Sequence, residues 1–511
     1  KTEFQGKMTA DKENILDQHL NGQPTLQCLN PASGSVLDEL PVSSLEEVEE
    51  KIGIAREAAA QWRQLSVRHR AKFIRKAQKA LVARMDEVVE VALSETGKTE
   101  FDGTIEMLTT LEIMRFNRKM APRALAPDVR PLGLLVKNKR GSVHYRPYGV
   151  VGAISPWNYP LIQPSIMVVP ALLAGNGIVL KPSEFTPLTA LKMKEVYDDA
   201  GVPEGIFQIV IGAGEVGKTL VESPGTDLIA FTGSINVGRN IAVSCAEQLK
   251  PVILELGGKD PLIVLRDANL KRAAGAAVWS GFHNAGQTCI SAERVYVEEP
   301  VADEFIRLVT EMTEAVKTGD DQSVSDFGSM TTETQFGKVM TQLDDARSKG
   351  ANVLSQAEPQ PKGMFIQPTI VTDTEGNMEL MKEEIFGPVI AISRVRDEDE
   401  AVDQANSMKF GLNASIFTRD KRKARRLARR VQAGNIVIND VETNYLCVDV
   451  PFGGMKQSGI GRLHGIEGLK SFSQIQSVVE HRFGLNKELW WFPVANGTKK
   501  LFRVLIRNLY G

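Results

Sequence analysis

The stretch PYGVVGAISPWNYPLIQPSIMVVPALLAGNGIVL, residues 147–180, decides how the rest of the chain reads. It carries no charged residue and is long enough to cross a bilayer. Pro147, Pro156, Pro160, Pro164 and Pro170, with Asn158 and Asn176, interrupt it. A spanning helix does not tolerate that many breaks, so the stretch predicts a buried strand, a loop, a helix and a second strand. The strand covers 149–155, the helix 162–173 and the second strand 177–180.

The alternation continues outward. Residues 186–200 read as helix, 207–211 as strand, 214–221 as helix and 228–232 as strand. A second series begins at 252–255, with strands at 262–265, 295–297, 389–395 and 435–437 and helices at 301–318 and 398–407. Strands alternating with helices argue for parallel sheets covered on both faces, here in two α/β domains. Upstream, 44–65 predicts a helix capped by Ser44, with Glu46 and Glu47 in its first turn and Val48, Ile52, Ala55, Ala59 and Trp62 on one face. Residues 68–93 predict one further helix, stopped by Gly97. Residues 103–120 predict another, broken by Pro122, Pro127 and Pro131. Residues 139–147 alternate as a strand.

Composition narrows the function. The chain has 511 residues, with Lys+Arg 61 against Asp+Glu 63 and a formal net charge of -2. That balance gives no global positive field, so no nucleic-acid partner is expected. Cys28, Cys245, Cys289 and Cys447 form no CxxC and no zinc-type cluster with histidine. Four scattered cysteines in a long chain read as reduced and intracellular, with no metal site and a cytoplasmic location. Residues 1–17 are polar with both charge signs and predict no secretory signal. No initiating methionine is present, so a trimmed start stays open.

Several residues could carry chemistry. Glu255 sits in Val-Ile-Leu-Glu-Leu-Gly-Gly258, where a carboxylate in an apolar strand end is costly unless paired or functional. Burial would raise its pKa toward that of a general base working near neutrality; a structural ion pair is the alternative. Cys289 in Gly286-Gln-Thr-Cys289 has small polar neighbours that suit an accessible thiol, whereas Cys28 and Cys245 read as small buried hydrophobes. Asn158 lies between prolines in Pro156-Trp-Asn-Tyr-Pro160, so a rigid loop could hold its amide as a donor; it could equally be a turn residue. Gly212-Ala-Gly-Glu-Val-Gly217 meets the GxGxxG pattern but lacks the acid expected about 20 residues later. Gly233-Ser234 ends a strand before a helix, where free N–H groups could take a phosphate or Ser234 could simply cap.

Seven strings stand in one order: Pro156-Trp-Asn-Tyr-Pro160, Leu180-Lys-Pro-Ser-Glu184, Phe231-Thr-Gly-Ser234, Leu254-Glu-Leu-Gly-Gly258, Gly286-Gln-Thr-Cys289, Glu383-Glu-Ile-Phe-Gly-Pro388 and Pro451-Phe-Gly-Gly454. In this the chain resembles the aldehyde dehydrogenase superfamily, from Asn30-Pro-Ala-Ser-Gly34 to about Val479. The resemblance implies an α/β fold of two Rossmann-like doubly wound domains plus a small β arm for oligomerisation. It places an NAD-binding domain at 1–127 and 148–257, a catalytic domain at 258–457 and the arm at 128–147 and 470–486. It implies a homodimer or homotetramer. It makes Cys289 the nucleophile, Asn158 with the Cys289 N–H the oxyanion hole, and Glu255 the base that hydrolyses a thioester. For the cofactor it implies Ser155, Trp157, Lys181, Ser183, Glu184, Phe231, Gly233, Ser234, Gly257, Glu384 and Phe386, and leaves Gly214 in a loop beside the adenine end. Lys181 and Glu184 would hold the adenosine ribose, and the Glu184 carboxylate favours NAD, with NADP as the alternative.

The substrate positions so implied, Trp157, Tyr159, Trp279 and 444–447, are mostly aromatic or apolar, so an apolar medium- or long-chain or aromatic aldehyde is expected. A succinate semialdehyde is the runner-up. A CoA-acylating dehydrogenase would have no need of Glu255, and a non-catalytic relative would usually have lost Cys289 or Glu255. Residues 487–511 form an extension. Phe502, Leu505, Ile506 and Leu509 share one helical face, and Lys499, Arg503 and Arg507 another. Peripheral membrane contact, a neighbouring subunit and packing on its own subunit are the three readings of it.

Overall fold

The computed structural model describes residues 19–20, 23–320, 324–354, 363–484 and 486–511. Residues 1–17, where no secretory signal was expected, lie outside them. The chain divides into two units, one of residues up to 124 with 147–473, the other of 125–146 with 474–511.

In the larger unit, β1 (His19–Leu20), β2 (Gln23–Leu29) and β3 (Val36–Pro41) form an antiparallel sheet. Helix Leu45–Trp62 follows, its Ser44 cap accepting from the Glu47 N–H and Val48, Ile52, Ala55, Ala59 and Trp62 buried, as the spacing required. The single helix expected over 68–93 is two, Val67–Ala83 and Met85–Thr96. They break at Arg84 (φ -115, ψ 25), whose guanidinium pairs with Glu87, Glu195 and Asp199. Apolar spacing alone runs through such a break, because the contacts that hold it are tertiary. Helix Glu100–Ala124 then absorbs Pro122 in its last turn instead of stopping before it.

The charge-free stretch supplies β6 (Val150–Ile154), the wholly buried helix Ile162–Ala174 and β7 (Gly177–Lys181). With β8 (Phe207–Ile209), β9 (Leu228–Gly233), β10 (Val252–Leu256) and β18 (Gly459–Ile460) they form a sheet of order β18-β10-β9-β6-β7-β8. All its pairings are parallel except that of the edge strand β18. The residues at 252–255, expected to open a second series, therefore close the first sheet instead, with Glu255 opposite Thr232. A short apolar run does not name its partner. The chain steps from β6 through β7 to β8 on one side and returns through β9 and β10 on the other. The carboxyl ends of β6 and β9 thus flank a topological switch point, where such sheets hold ligands.

The second sheet has the order β13-β14-β15-β12-β11-β16-β17. Its strands are β11 (Asp260–Val264), β12 (Ala292–Glu298), β13 (Asn352–Val353), β14 (Thr369–Thr372), β15 (Val389–Val395), β16 (Asn413–Phe417) and β17 (Asn435–Ile438). Only β13 pairs antiparallel. Strands β14 and β16 gave no signal in the sequence, being short runs of two or three apolar residues with polar residues beside them.

The smaller unit contains a sheet of β4 (Asp128–Arg130), β5 (Lys139–Pro147) and β19 (Ser473–His481), ordered β19-β5-β4. Its terminal helix is Asn496–Tyr510. Among the described residues no helix is long and apolar enough to cross a membrane.

Candidate active site

Cys289 follows helix Leu270–Phe282 and precedes β12. Between them Asn284, Ala285 and Gly286 all take positive φ (52, 56 and 69°). At Gly286 a Cβ would lie 2.1 Å from the Gly387 carbonyl oxygen, so only glycine fits that turn. A Cβ on Gly258 would lie 2.3 Å from the Cys289 carbonyl oxygen, so the backbone after β10 runs directly against the cysteine. Cys28 and Cys245 are buried, whereas Cys289 keeps part of its surface open. The protein around it still desolvates the sulfur. Burial, together with the carboxylates Glu255, Asp260 and Glu384, lifts the Cys289 thiol well above its ordinary range.

Glu255, on β10, is 2% exposed. Neither carboxylate oxygen has a hydrogen-bond partner of good geometry among the described residues. Burial pushes its pKa up to about 7, and the nearby Cys289 thiol and Thr232 hydroxyl only temper that rise. The expected carboxylate thus stands buried and uncommitted beside the expected nucleophile. No group of metal-ligating side chains occurs among the described residues.

Asn158 is buried, and its Nδ2 donates to the Gln287 carbonyl at 2.9 Å, while Oδ1 has no partner among the described residues. Its own carbonyl accepts from Lys98 Nζ at 2.9 Å and Asn284 Nδ2 at 3.2 Å. Lys98 in turn pairs with Glu106 at 2.5 Å, both side chains fully buried, and Glu106 accepts from the Leu161 and Ile162 N–H groups. This pair clamps the proline-flanked loop from below. The sequence reading missed both residues, although Glu106 inside a predicted helix could have been flagged by the cost of burying it.

The cofactor candidates gather at the carboxyl ends of the first sheet. Lys181 ends β7, buried, with Nζ 2.8 Å from the Pro182 carbonyl and 3.4 Å from Glu184 Oε2; burial lowers its pKa. Ser183 is buried and Ser155, after β6, has a buried hydroxyl without a partner. Phe231 and Gly233 end β9, and Ser234 caps helix Ile235–Glu247 by accepting from the Val237 N–H. Gly214 opens helix Gly214–Glu222 with no atom within 4 Å of a would-be Cβ. On the other side, Trp157 meets Phe386 edge-on, with ring centroids 5.4 Å apart. Glu384 accepts from the Gly258 N–H at 3.1 Å, and a Cβ on Gly257 would lie 2.7 Å from its carboxylate. Burial and the Glu293 carboxylate raise the Glu384 pKa. An orphaned serine hydroxyl, an open glycine at the helix start Gly214 and a Lys–Glu pair at the carboxyl ends of the strands fit a phosphate-bearing dinucleotide.

A second buried pair was also missed. Lys259 Nζ lies 2.7 Å from Glu293, and Glu293 accepts from the Ile385 and Phe386 N–H groups at 2.8–3.0 Å. It thereby holds Phe386 at φ 54°, an uncommon conformation for a side chain of that size. Near the thiol, Tyr445 packs with Cys289, Ile290, Leu412 and Phe452, and its hydroxyl accepts from Gln163. Tyr159 shares a 2.7 Å hydrogen bond with Thr288 and a 3.3 Å one with His283. His283 stacks on Trp279 and sits 3.3 Å from Asp102 and 3.8 Å from Glu442.

Comparison with known proteins agrees with this geometry. The family model described as the aldehyde dehydrogenase family matches residues 19–478. A Methylomonas protein named 4,4'-diapolycopene aldehyde oxidase is 37% identical over 95% of this chain and 92% of its own. A Mycolicibacterium smegmatis protein, provisionally named succinate-semialdehyde dehydrogenase, NADP(+), is 36% identical over 92% of this chain and 93% of its own. The crystal structure of an NAD-dependent aldehyde dehydrogenase from Sinorhizobium meliloti superposes with a TM-score of 0.87 at 33% identity, covering 92% of this chain and 93% of that one.

Proposed function

We propose, from the premise that this chain belongs to the aldehyde dehydrogenase family, that it oxidises an apolar aldehyde to the carboxylic acid with NAD, and secondarily NADP, as hydride acceptor. The observation that carries the proposal is the buried, unpartnered Glu255 carboxylate beside the Cys289 thiol.

At rest burial, helped by the neighbouring carboxylates, keeps Cys289 protonated. Glu255, poised at about 7, is the acceptor for that proton as sulfur bonds to the carbonyl carbon. The carbonyl oxygen takes the displaced electron pair and is stabilised by the Cys289 N–H and by the Asn158 amide, which has one N–H beyond the bond to Gln287. A dinucleotide, when bound, supplies the hydride acceptor at the thiohemiacetal carbon. Lys181 and Glu184 would hold its adenosine ribose, with Gly214 beside the adenine. Gly233 and Ser234 would face the pyrophosphate, Ser155, Trp157, Ser183 and Phe231 would line the cradle, and Glu384 would reach past Gly257 with Phe386 toward the nicotinamide ribose. Loss of hydride leaves a Cys289 thioester. Glu255, having passed its proton to solvent, then takes one from water, whose oxygen displaces the thiolate and releases the acid.

A neutral, apolar substrate is favoured by the lining: the rings of Tyr445 and Phe452 and the side chain of Leu412 pack about Cys289 and Ile290, and the groups acting on the thiol are acidic, with no cation among them to hold a second carboxylate. The relative named 4,4'-diapolycopene aldehyde oxidase supports the same choice. Residues 1–127 and 148–257 would bind the dinucleotide and 258–457 the aldehyde, while the sheet edges in 128–147 and 470–486 would join copies into a dimer or tetramer. NADH formation over a panel of aldehydes tests the proposal: straight-chain apolar aldehydes should outperform semialdehydes, and Cys289→Ala should abolish turnover. Full activity in that variant would overturn the mechanism.

A further inference from the structure

We propose that residues 486–511 are a docking surface for an anionic lipid bilayer, with helix Asn496–Tyr510 lying in the plane of the interface. The helix has 15 residues, about 22 Å at 1.5 Å per residue, too short to cross the hydrocarbon layer. At 100° per residue, Leu501, Phe502, Leu505, Ile506 and Leu509 fall within one arc and Lys499, Lys500, Arg503 and Arg507 within the adjoining one. Phe502 and Leu505 are half-buried, but most of the apolar arc stays in water: Leu501 is 44% exposed, Ile506 60% and Leu509 45%. The turn before the helix presents Trp490 at 44%, Trp491 at 53% and Phe492 at 92% exposure. Leaving this much apolar surface in water is unfavourable, and clustered exposed aromatics at one end of an amphipathic helix mark an interaction site.

Charge selects the occupant. Residues 486–511 carry five cations and one carboxylate, in a chain whose formal net charge is -2. That carboxylate, Glu488, is already paired with Lys139. Lys499, Lys500, Arg503 and Arg507 make no ion pair among the described residues. A two-fold contact between copies would set these cations against one another. An anionic headgroup layer matches them, takes the apolar arc into its acyl boundary and seats the tryptophans at the level where their rings are favoured.

The test is co-sedimentation of the full chain with vesicles of phosphatidylcholine alone or with about 30% phosphatidylglycerol, an anionic fraction large enough to set up the surface potential. Binding to the anionic vesicles is expected, weakened by salt, with a blue shift of tryptophan emission. Two variants on exposed positions, Lys499→Glu with Arg503→Glu and Arg507→Glu, and Ile506→Glu with Leu509→Glu, should each bind at least about tenfold more weakly. Both should keep the oligomeric state and the turnover of a water-soluble aldehyde, so failure here is separable from failure of the catalytic proposal. Absence of binding by the wild type, or unchanged binding by both variants, would overturn the inference. So would a chain ending at residue 485 that changes oligomeric state while the wild type ignores vesicles, which would assign the face to a second copy.

Discussion

Replacing Glu255 by Gln removes the charge and keeps the shape, and two readouts follow from one number. Burial lifts the carboxyl from 4.5 to about 7, an interval worth about 3 kcal/mol at 1.36 kcal/mol per pH unit. The sign is that of a raised carboxylate. Below about 4.5 both folded and unfolded chains hold the proton and no penalty exists. As pH rises toward 7 the unfolded chain loses its proton first, so the fold is progressively destabilised, and above 7 the cost is constant. Glu255→Gln should therefore match the wild type's pH response near pH 5 less a fixed offset, and gain about 3 kcal/mol on it by pH 8. A buried glutamine amide without partners lowers stability at every pH alike, so the change in the difference, not its absolute value, carries the test. Denaturant or thermal melts of both proteins at pH 5, 6, 7 and 8 measure it. The kinetic readout is independent: the wild type's steady-state rate should rise through about pH 7 as the base forms, while the variant, lacking both the acceptor for the thiol proton and the base for hydrolysis, forms NADH slowly in its first turnover and then stalls on the thioester. Parallel melting curves from pH 5 to 8 together with wild-type steady-state turnover in the variant would refute the assignment.

Three other outcomes are expected. Lys98→Met should destabilise the chain by about 3–5 kcal/mol, because Glu106 stays buried without its partner; adding Glu106→Gln should recover part of that loss in the same melts. Gly258→Ala should abolish activity and lower soluble yield, since the new Cβ would sit 2.3 Å from the Cys289 carbonyl oxygen and 2.8 Å from Asp260 Oδ1. Glu184→Gln should raise the ratio of kcat/KM for NADP over NAD by about tenfold, through removal of repulsion toward the 2′-phosphate; an unchanged ratio would place that ribose elsewhere.

What could be read in advance was local. The prolines of 147–180 dictated strand, loop, helix and strand, and the cost of a charge in an apolar strand singled out Glu255, because both arguments need only neighbours in sequence. The partner of β10, the break at Arg84 and the clamp on the Asn158 loop depend on residues far away in the chain, and no periodicity encodes them. Glu293 shows where the boundary runs. Its strand, Ala292–Glu298, is buried throughout, so the argument that exposed Glu255 applied to it equally. Its opposite role is set by Lys259 at 2.7 Å, which the sequence alone could not place.

That contrast explains why one buried glutamate is chemistry and the other scaffold. Glu293 has a cation and two backbone N–H groups, so its carboxylate is fully engaged as scaffold. Glu255 has none of these, and its pKa climbs to the pH at which a base must work. The burial that raises it also does most to keep the Cys289 thiol protonated, with the neighbouring carboxylates adding to it, which would be self-defeating for a nucleophile that had to stand ready as thiolate. It is coherent for one that surrenders its proton to Glu255 only as a carbonyl arrives, because a protonated sulfur with part of its surface open resists oxidation between turnovers.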